Sequence, residues 1–116
     1  KKIPYRIFLE NGDLLFLAGI WDEWEHDGVV KHTFSIITTT PNREMSDLHD
    51  RMPVVLPDAE AQKLWLSPLP VEEALALLHP VQDGRLSMYR VSDKLNKPSC
   101  NDADLHRELP EELTLF

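Results

Sequence analysis

Three runs of β-branched, aromatic and aliphatic residues dominate the first forty positions, and turn-forming residues separate them. The first run spans residues 3–9 and precedes Asn11-Gly12, a dipeptide that favours the type I′ turn of a two-residue hairpin. The second run, residues 14–21, is apolar without alternation, which is typical of a central strand covered on both faces. The third run, residues 29–40, follows an acidic segment that we interpret as a turn. This order predicts a three-stranded antiparallel sheet whose first hairpin closes at Asn11-Gly12.

The rest of the chain predicts short helices and short strands. The predicted elements are a helical turn within residues 44–48, a strand at 54–56, helices at 58–67 and 71–78, and a strand at 86–91. Both helices begin after a proline and carry acidic residues in the first turn. Residues 92–116 are mostly polar and predict an extended tail laid over the domain. The predicted fold class is therefore α+β, mainly an antiparallel β-sheet with short peripheral helices.

The size and composition of the chain exclude several classes of protein. The 116 residues have the length of one domain, and 42% apolar with 28% charged residues exclude wholesale disorder. No uncharged apolar stretch is long enough to cross a bilayer, so we predict a soluble protein without a membrane partner. The net charge of -8 argues against broad binding to phosphate backbones and leaves a local basic site open. Cys100 has no second cysteine to pair with, which predicts a reducing compartment.

The densest group of reactive side chains surrounds His49, which is flanked by Asp47, Asp50 and Arg51. An imidazole exchanges protons near neutral pH, a carboxylate fixes its tautomer, and an arginine holds an anion, so this string suits proton transfer on an anionic substrate. In the structural interpretation, Asp47 caps a turn, Asp50 pairs with Arg51, and His49 is a hydrogen-bonded structural residue. Spacing alone favours the structural interpretation, because short His-Asp-Arg strings recur widely.

Aromatic and hydroxyl side chains offer a second group of candidates. Tyr5, Trp21 and Trp24 would suit a stacking platform for single-stranded nucleic acid, although core packing is the favoured interpretation for Trp21. The threonine run that begins at Thr38 ends a predicted strand and offers hydroxyls to a phosphate, while threonine is also common in half-exposed strands. These side chains do not decide the function by themselves.

Two histidine-containing pairs are weaker candidates. His26 and His32 flank an acidic turn without a third ligand at a recognisable spacing, which favours a solvated hairpin over a metal site. Cys100 and His106 would need an activated thiol, whereas neighbouring aspartates in a polar tail raise a thiol pKa. The sequence predicts no metal and no cofactor.

The order of motifs resembles the SOS-response-associated peptidase (SRAP) family. The most specific segment is the His-Asp-Arg-Met-Pro core at residues 49–53, which follows an Ile-Ile-Thr strand end at residues 36–38. Segments that agree in order and spacing are residues 17–24, 34–39, 45–56, 65–66 and 89–92. The resemblance extends from residue 4 to about residue 96 and covers the second half of the family's domain. It implies an SRAP-like, β-barrel-type fold.

The resemblance also implies a reaction and roles for three residues. Members of the family capture abasic sites in single-stranded DNA as a covalent cross-link, in which an N-terminal cysteine forms a thiazolidine with the sugar aldehyde. The resemblance also implies that the same centre removes the initiator methionine. His49 matches the family's catalytic histidine, Arg51 an arginine that contacts the DNA backbone, and Thr38 a strand-end threonine in the same groove.

The chain lacks motifs that the family carries in the first half of its domain. These are the N-terminal cysteine, an asparagine-containing motif, and a glutamate within Gly-Trp/Tyr-Glu-Trp. Cys100 cannot replace the N-terminal cysteine, because the reaction needs a thiol and a free α-amine on one residue. We therefore expect residues 1–116 to be the C-terminal part of a longer SRAP domain, with residues 92–116 as its tail. The 116 residues alone are expected to be inactive.

The expected partners are abasic single-stranded DNA and the missing N-terminal half of the same domain, in a monomeric, cytoplasmic protein that is nucleoid-associated if bacterial. A noncatalytic binding module built on a small β-sheet, with a structural His49, is the alternative. A hydrolase that uses His49 with Asp47 is disfavoured, because the chain offers that histidine no convincing nucleophile.

Overall fold

The computed structural model describes residues 3–110. The strands and helices in that range are β1 (Tyr5–Leu9), β2 (Gly19–His26), β3 (Val29–Ile36), β4 (Thr38–Thr39), α1 (Arg43–Ser46), β5 (Met52–Pro53), α2 (Ala59–Trp65), α3 (Val71–Leu75) and β6 (Leu86–Arg90), followed by 3-10 turns at Asp93–Asn96 and Ala103–His106. All strand pairs are antiparallel and all helices are short. The predicted α+β class is therefore confirmed.

The strands pair two by two. β1 lies against β6, with Leu9 opposite Leu86, and β2 lies against β3. β4 lies against β5, with Thr38 opposite Pro53. Within residues 3–110 these three ladders do not close into a barrel.

The first predicted hairpin is wrong. Gly12 does turn the chain, with φ of 82°, but β1 pairs with β6 rather than with the run that follows the turn. The Asn11 side chain accepts a hydrogen bond from the Asp13 N–H at 3.0 Å, so it forms a local Asx turn. A type I′ turn needs positive φ at both central residues, and only Gly12 of this pair has it.

The hairpin lies instead between β2 and β3. Its turn is Asp27-Gly28, where both residues have positive φ, 51° and 77°. The acidic segment that we interpreted as a turn is therefore mostly strand, because β2 continues through His26.

The apolar run at residues 14–21 is not a central strand, and this prediction is also wrong. Apart from one isolated bridge between Leu17 and Val55, strand structure begins at Gly19, and Leu14 and Trp21 are 78% and 74% exposed. Ala18 alone in this run is fully buried. A lack of alternation indicates a hydrophobic segment, but burial requires a covering element. Among the described residues such cover reaches Leu15 and Ala18, whereas Leu14 and Trp21 stay exposed.

The segment covered on both faces is residues 52–56. Met52 and Val55 belong to one apolar cluster, which Leu9, Met45, Val81 and Leu86 complete. Val54 and Leu56 point to the other side, into a cluster with Ala18 that Ile37, Ala61, Trp65 and Leu78 surround. The predicted strand at 54–56 is displaced, because β5 covers Met52–Pro53 and residues 54–56 form one isolated bridge, Leu17 to Val55. Backbone hydrogen bonds still pair this segment with its neighbours: the Val54 N–H donates to the Ile37 carbonyl and the Leu56 N–H to the Phe16 carbonyl.

Side-chain caps define the starts of two helices. Asn42 caps α1 and Asp58 caps α2, each by accepting a backbone N–H in the first turn. α3 starts after Pro70 and ends at Leu75, short of the predicted residue 78. None of the helices formed by residues 3–110 has both the length and the apolar character that spanning a bilayer requires.

The described part of the predicted tail, residues 92–110, contains the two 3-10 turns. It returns to β6, where the Leu109 N–H donates to the Arg90 carbonyl at 2.9 Å. The Tyr89 hydroxyl also donates to the His106 carbonyl at 2.8 Å. Residues 111–116 of that prediction lie outside the described residues.

Candidate functional site

A cleft of about 830 Å³ opens between β1 and the segment that joins α1 to β5. Its walls combine aromatic and aliphatic side chains with one histidine, one arginine, one aspartate and one threonine. The lining residues are Ile3, Tyr5, Ile7, Thr38, Met45, Asp47, Leu48, His49, Arg51, Met52 and Pro53. The structure therefore brings His49, Arg51 and Thr38 together in one cleft, beside the β1 face that carries Tyr5.

The end of α1 places His49 in this cleft. The N–H groups of Leu48 and His49 both donate to the Met45 carbonyl, at 2.9 and 3.0 Å. These bonds close a tight turn directly after the helix, and they satisfy a carbonyl that a helix end would leave open. The imidazole leaves this turn with 63% of its side chain exposed.

His49 Nδ1 has two neighbours that require opposite protonation states. The Arg51 N–H points at Nδ1 from 3.0 Å, and an Asp50 carboxylate oxygen lies 3.1 Å from the same nitrogen. A neutral ring with its proton on Nε2 accepts the Arg51 N–H, whereas a ring protonated on Nδ1 donates to Asp50. The two bonds are mutually exclusive, so gain or loss of the proton on Nδ1 exchanges the partner of that nitrogen.

The other ring nitrogen, Nε2, has no protein partner among residues 3–110. His49 can therefore present Nε2 to a bound molecule while Nδ1 keeps a partner in either protonation state. This arrangement suits a group that both gives and takes a proton, since neither state leaves Nδ1 unsatisfied.

Arg51 is fixed against β4. Its Nη2 donates to the Thr38 carbonyl at 2.9 Å and to the Thr38 hydroxyl at 3.1 Å, and its Nε lies 3.3 Å from the same hydroxyl. Among the described residues no carboxylate pairs with this guanidinium. The Asp50–Arg51 pair of the structural interpretation is wrong, because Asp50 contacts His49 and Arg51 contacts Thr38.

Glu44 is a residue of this region that the sequence analysis missed. Its carboxylate accepts hydrogen bonds from the N–H groups of Gly84, at 2.9 and 3.0 Å, and Leu86, at 3.0 Å. A second contact joins the same two segments, because the Asp83 carboxylate accepts the backbone N–H of Arg43 at 2.7 Å. Burial acts to raise the pKa of Glu44, but these backbone hydrogen bonds and the Arg43 charge lower the pKa below its ordinary value. Helix α1 is thereby clamped to the turn that precedes β6.

We expect Glu44→Gln to destabilise the complete protein. Here and below, the complete protein is the full-length product of the reading frame that encodes these residues. The lowered pKa means that the carboxylate adds stability above its ordinary value of 4.5, and that this stability is lost as the pH falls through the lower folded-state value. The expected loss in unfolding free energy is about 1–2 kcal/mol at neutral pH and shrinks in acid. Urea unfolding at several pH values measures it.

The matched control is Glu60→Gln, which changes an exposed glutamate in the first turn of α2. Both substitutions remove a negative charge near a helix start, so the macrodipole contribution is similar. Equal losses for both variants, or a loss for Glu44→Gln that does not depend on pH, would contradict the clamp.

The predicted aromatic platform is not assembled. Tyr5 lies in the cleft, whereas Trp21 and Trp24 occupy opposite faces of the β2–β3 hairpin. Trp24 stacks on His26 with ring centroids 5.2 Å apart. The core position favoured for Trp21 is wrong, since this side chain is exposed.

The two histidines weighed as metal ligands also separate. In the antiparallel register His26 is opposite Val29, while His32 is opposite Glu23, so the two side chains point to opposite faces. Within the part of the chain that the structure describes, no group of three histidine, cysteine or acidic side chains is arranged to hold a metal ion.

Comparison with known proteins agrees with this arrangement of motifs. Residues 1–98 match the SRAP family, SOS response associated peptidase. The chain is 40% identical over 107 residues to the abasic site processing protein YoqW of Bacillus subtilis, covering 90% of this chain and 47% of that protein. It is 38% identical over 95 residues to the abasic site processing protein HMCES of Mus musculus, covering 79% of this chain and 26% of that protein.

A solved structure shows the same fold. The crystal structure of a protein from Bacteroides thetaiotaomicron superposes with a TM-score of 0.84 at 32% sequence identity, covering 95% of this chain and 50% of that one. The chain thus spans about half the length of the bacterial relatives it matches. The family match over most of the chain and the shared fold together show that this chain belongs to the SRAP family.

Proposed function

We propose that this chain acts in the processing of abasic sites in single-stranded DNA, as the half of an SRAP domain that supplies a proton-transfer histidine and DNA contacts. The observation that carries the proposal is the meeting of His49, Arg51 and Thr38 in one cleft, with His49 Nε2 unpartnered among residues 3–110. The relatives named as abasic site processing proteins support the substrate. Residues 1–116 then form the C-terminal part of a longer, monomeric domain.

The proposed reaction joins an abasic sugar to an N-terminal cysteine that lies outside these residues. The α-amine condenses with the sugar aldehyde, a C=N bond forms, and water leaves. The cysteine sulfur then bonds to the imine carbon while the thiol proton moves to the nitrogen, which closes a thiazolidine ring. The same centre would release an initiator methionine that precedes the cysteine.

His49 would move the protons of these steps. Loss of water from the first adduct needs a proton on the departing hydroxyl, and attack by sulfur needs a proton removed from the thiol. An imidazolium ring whose Nδ1–H donates to Asp50 can give its Nε2 proton in the first step. The neutral ring that remains is still protonated on Nδ1, so its Nε2 can accept the thiol proton in the second step while Asp50 holds Nδ1.

Arg51 and Thr38 would hold the DNA. Because Thr38 takes only part of the donor capacity of Arg51, the guanidinium keeps N–H groups and its full charge for a phosphate. The net charge of -8 opposes broad binding, so a few local contacts would set the DNA affinity.

The test of the proposed function is the mass of the complete protein before and after incubation with single-stranded DNA that carries one abasic site. The expected product is a covalent adduct on a species that starts with cysteine. Parallel incubation of the 116-residue chain is expected to give no adduct. Absence of an adduct on a complete protein that does start with cysteine would overturn the proposal, and would favour a noncatalytic binding module.

We expect Arg51→Ala to weaken the binding of abasic single-stranded DNA by about tenfold, because one charge-assisted phosphate contact is lost. The slope of log affinity against log salt should fall by about 0.7, the value for one phosphate contact on a single strand. Fluorescence anisotropy at several salt concentrations measures both effects.

Arg107→Ala is the matched control for this charge change. Arg107 is exposed and pairs with Asp104 outside the cleft, so its loss should leave affinity and salt slope nearly unchanged. If both variants weaken binding equally, net charge explains the effect and Arg51 makes no specific contact.

A further inference from the structure

Asn42 is the buried polar residue of the region that carries the cleft, with 4% of its surface exposed. It is also the only fully buried polar or charged residue among those that the structure describes. A buried amide is costly unless its donors and acceptors are paired, so its contacts carry information about what the position requires.

Four hydrogen bonds satisfy this residue, and the first lies within the first turn of α1, where its backbone carbonyl accepts the Ser46 N–H at 3.0 Å. The side-chain oxygen accepts the Met45 N–H at 3.1 Å, and the side-chain nitrogen donates to the Val81 carbonyl at 3.3 Å. The backbone N–H donates to the Met52 sulfur at 3.1 Å. Asn42 therefore connects α1, β5 and the segment that precedes β6.

Two of these partners flank residues 49–51, the segment that carries His49 and Arg51. Met45 precedes this segment, and its carbonyl accepts the His49 N–H. Met52 immediately follows Arg51. Helix α1 has only four residues, too few to be stable without anchoring. The location of His49 thus depends on whatever fixes Met45 relative to Met52.

We infer that Asn42 is a positioning residue for His49 and Arg51, acting through Met45 and Met52. The inference rests on the proposed function, in which His49 transfers protons. Asn42 itself is not among the residues that line the cleft. Its role is to hold the turn in which Nδ1 of His49 meets the Arg51 N–H.

The test compares Asn42→Ala with Asp58→Ala in the complete protein. Asp58 is the matched control, because its side chain caps α2 by accepting the Ala61 N–H at 2.8 Å, away from the cleft. Asn42→Ala should lower the cross-linking rate at saturating abasic DNA by about tenfold, since small misplacement of a reacting group is costly. Asp58→Ala should change that rate by less than about twofold.

A serine at position 42 keeps a capping oxygen and should recover much of the rate. If Asn42→Ala fails to fold, the cross-linking rate and the His49 ring shifts are measured on Asn42→Ser instead. A serine variant that folds and cross-links no faster than folded Asn42→Ala would argue against positioning through the cap.

Nitrogen NMR of the His49 ring gives a readout that does not depend on cross-linking. Asn42→Ala should move the Nδ1 and Nε2 shifts towards an averaged tautomer, and Asp58→Ala should leave both in place. Unchanged ring shifts and an unchanged rate in Asn42→Ala would reduce Asn42 to a helix cap and overturn the inference. If His49→Ala does not affect the rate, the proposed function fails, and the ring shifts alone decide whether Asn42 positions His49.

Discussion

Replacing His49 by alanine in the complete protein is expected to slow cross-linking to abasic single-stranded DNA by about 10² to 10⁴-fold. The basis is geometric: His49 lines the cleft, and its Nδ1 has a partner in either protonation state. The side chain is 63% exposed, so its removal should change the free energy of unfolding by less than about 0.5 kcal/mol. Single-turnover kinetics at saturating DNA, with urea unfolding in parallel, measures both quantities.

The structural interpretation of His49 predicts the opposite pattern. If the imidazole only braced the turn, alanine would lower stability by about 1 kcal/mol and leave the rate of the folded protein unchanged. His79→Ala is the matched control, because His79 is also exposed and hydrogen-bonds locally, with its Nδ1 3.0 Å from the Pro80 carbonyl. A His49 variant that cross-links as fast as the His79 variant would remove His49 from the chemistry.

The meeting of the three proposed site residues could be predicted because it depends on local connections. Thr38 begins β4 and is opposite Pro53, and Arg51 immediately precedes β5. Antiparallel pairing therefore brings the two segments side by side, and the long arginine side chain reaches Thr38. Sequence separation across this ladder is short, and a single helical turn fills it. The roles of these residues remain predictions that rest on the family resemblance and on the cleft.

Long-range pairing could not be predicted from hydrophobic pattern. The alternation in β1 and β6 indicates two half-buried strands, yet nothing in it specifies that they pair across nearly the whole described chain. The two turn dipeptides illustrate the same limit at short range. Asn11-Gly12 and Asp27-Gly28 carry similar turn signals. Both residues of the second pair have positive φ and close a hairpin, whereas Asn11 lacks positive φ and accepts the Asp13 N–H in a local turn.

The importance of residues 41–45 was also hidden from the sequence analysis. A capping signal is present, because Asn42 precedes a helical turn that contains Glu44. The partner of Asn42, Val81, and the partner of Glu44, Gly84, are distant in sequence, and no pattern within the helix indicates either of them. The helix cap at Asn42 was therefore predictable, whereas the hydrogen bonds to residues near β6 were not.

Met52→Ala is expected to produce the largest loss of stability, about 2–5 kcal/mol in the free energy of unfolding. Met52 is 1% exposed and belongs to the apolar cluster beneath the cleft, so alanine would leave a cavity there. Its sulfur also accepts the buried Asn42 N–H, which would lose its partner. Urea unfolding of the complete protein measures the loss, and the folded fraction should cross-link more slowly because Arg51 adjoins the cavity.

Met52→Leu separates the two contributions. Leucine restores most of the buried volume, so the packing cost should fall below about 1.5 kcal/mol, while the acceptor for Asn42 is still absent. If packing alone matters, Met52→Leu will match the wild type in both stability and cross-linking rate. If the bond to Asn42 also fixes the turn, Met52→Leu will lose about 1–3 kcal/mol of stability for the unpaired Asn42 N–H, its folded fraction will cross-link more slowly than the wild type, and its His49 ring shifts will resemble those of Asn42→Ala. Wild-type stability in Met52→Ala would contradict the position of residues 52–56 as the segment buried on both faces.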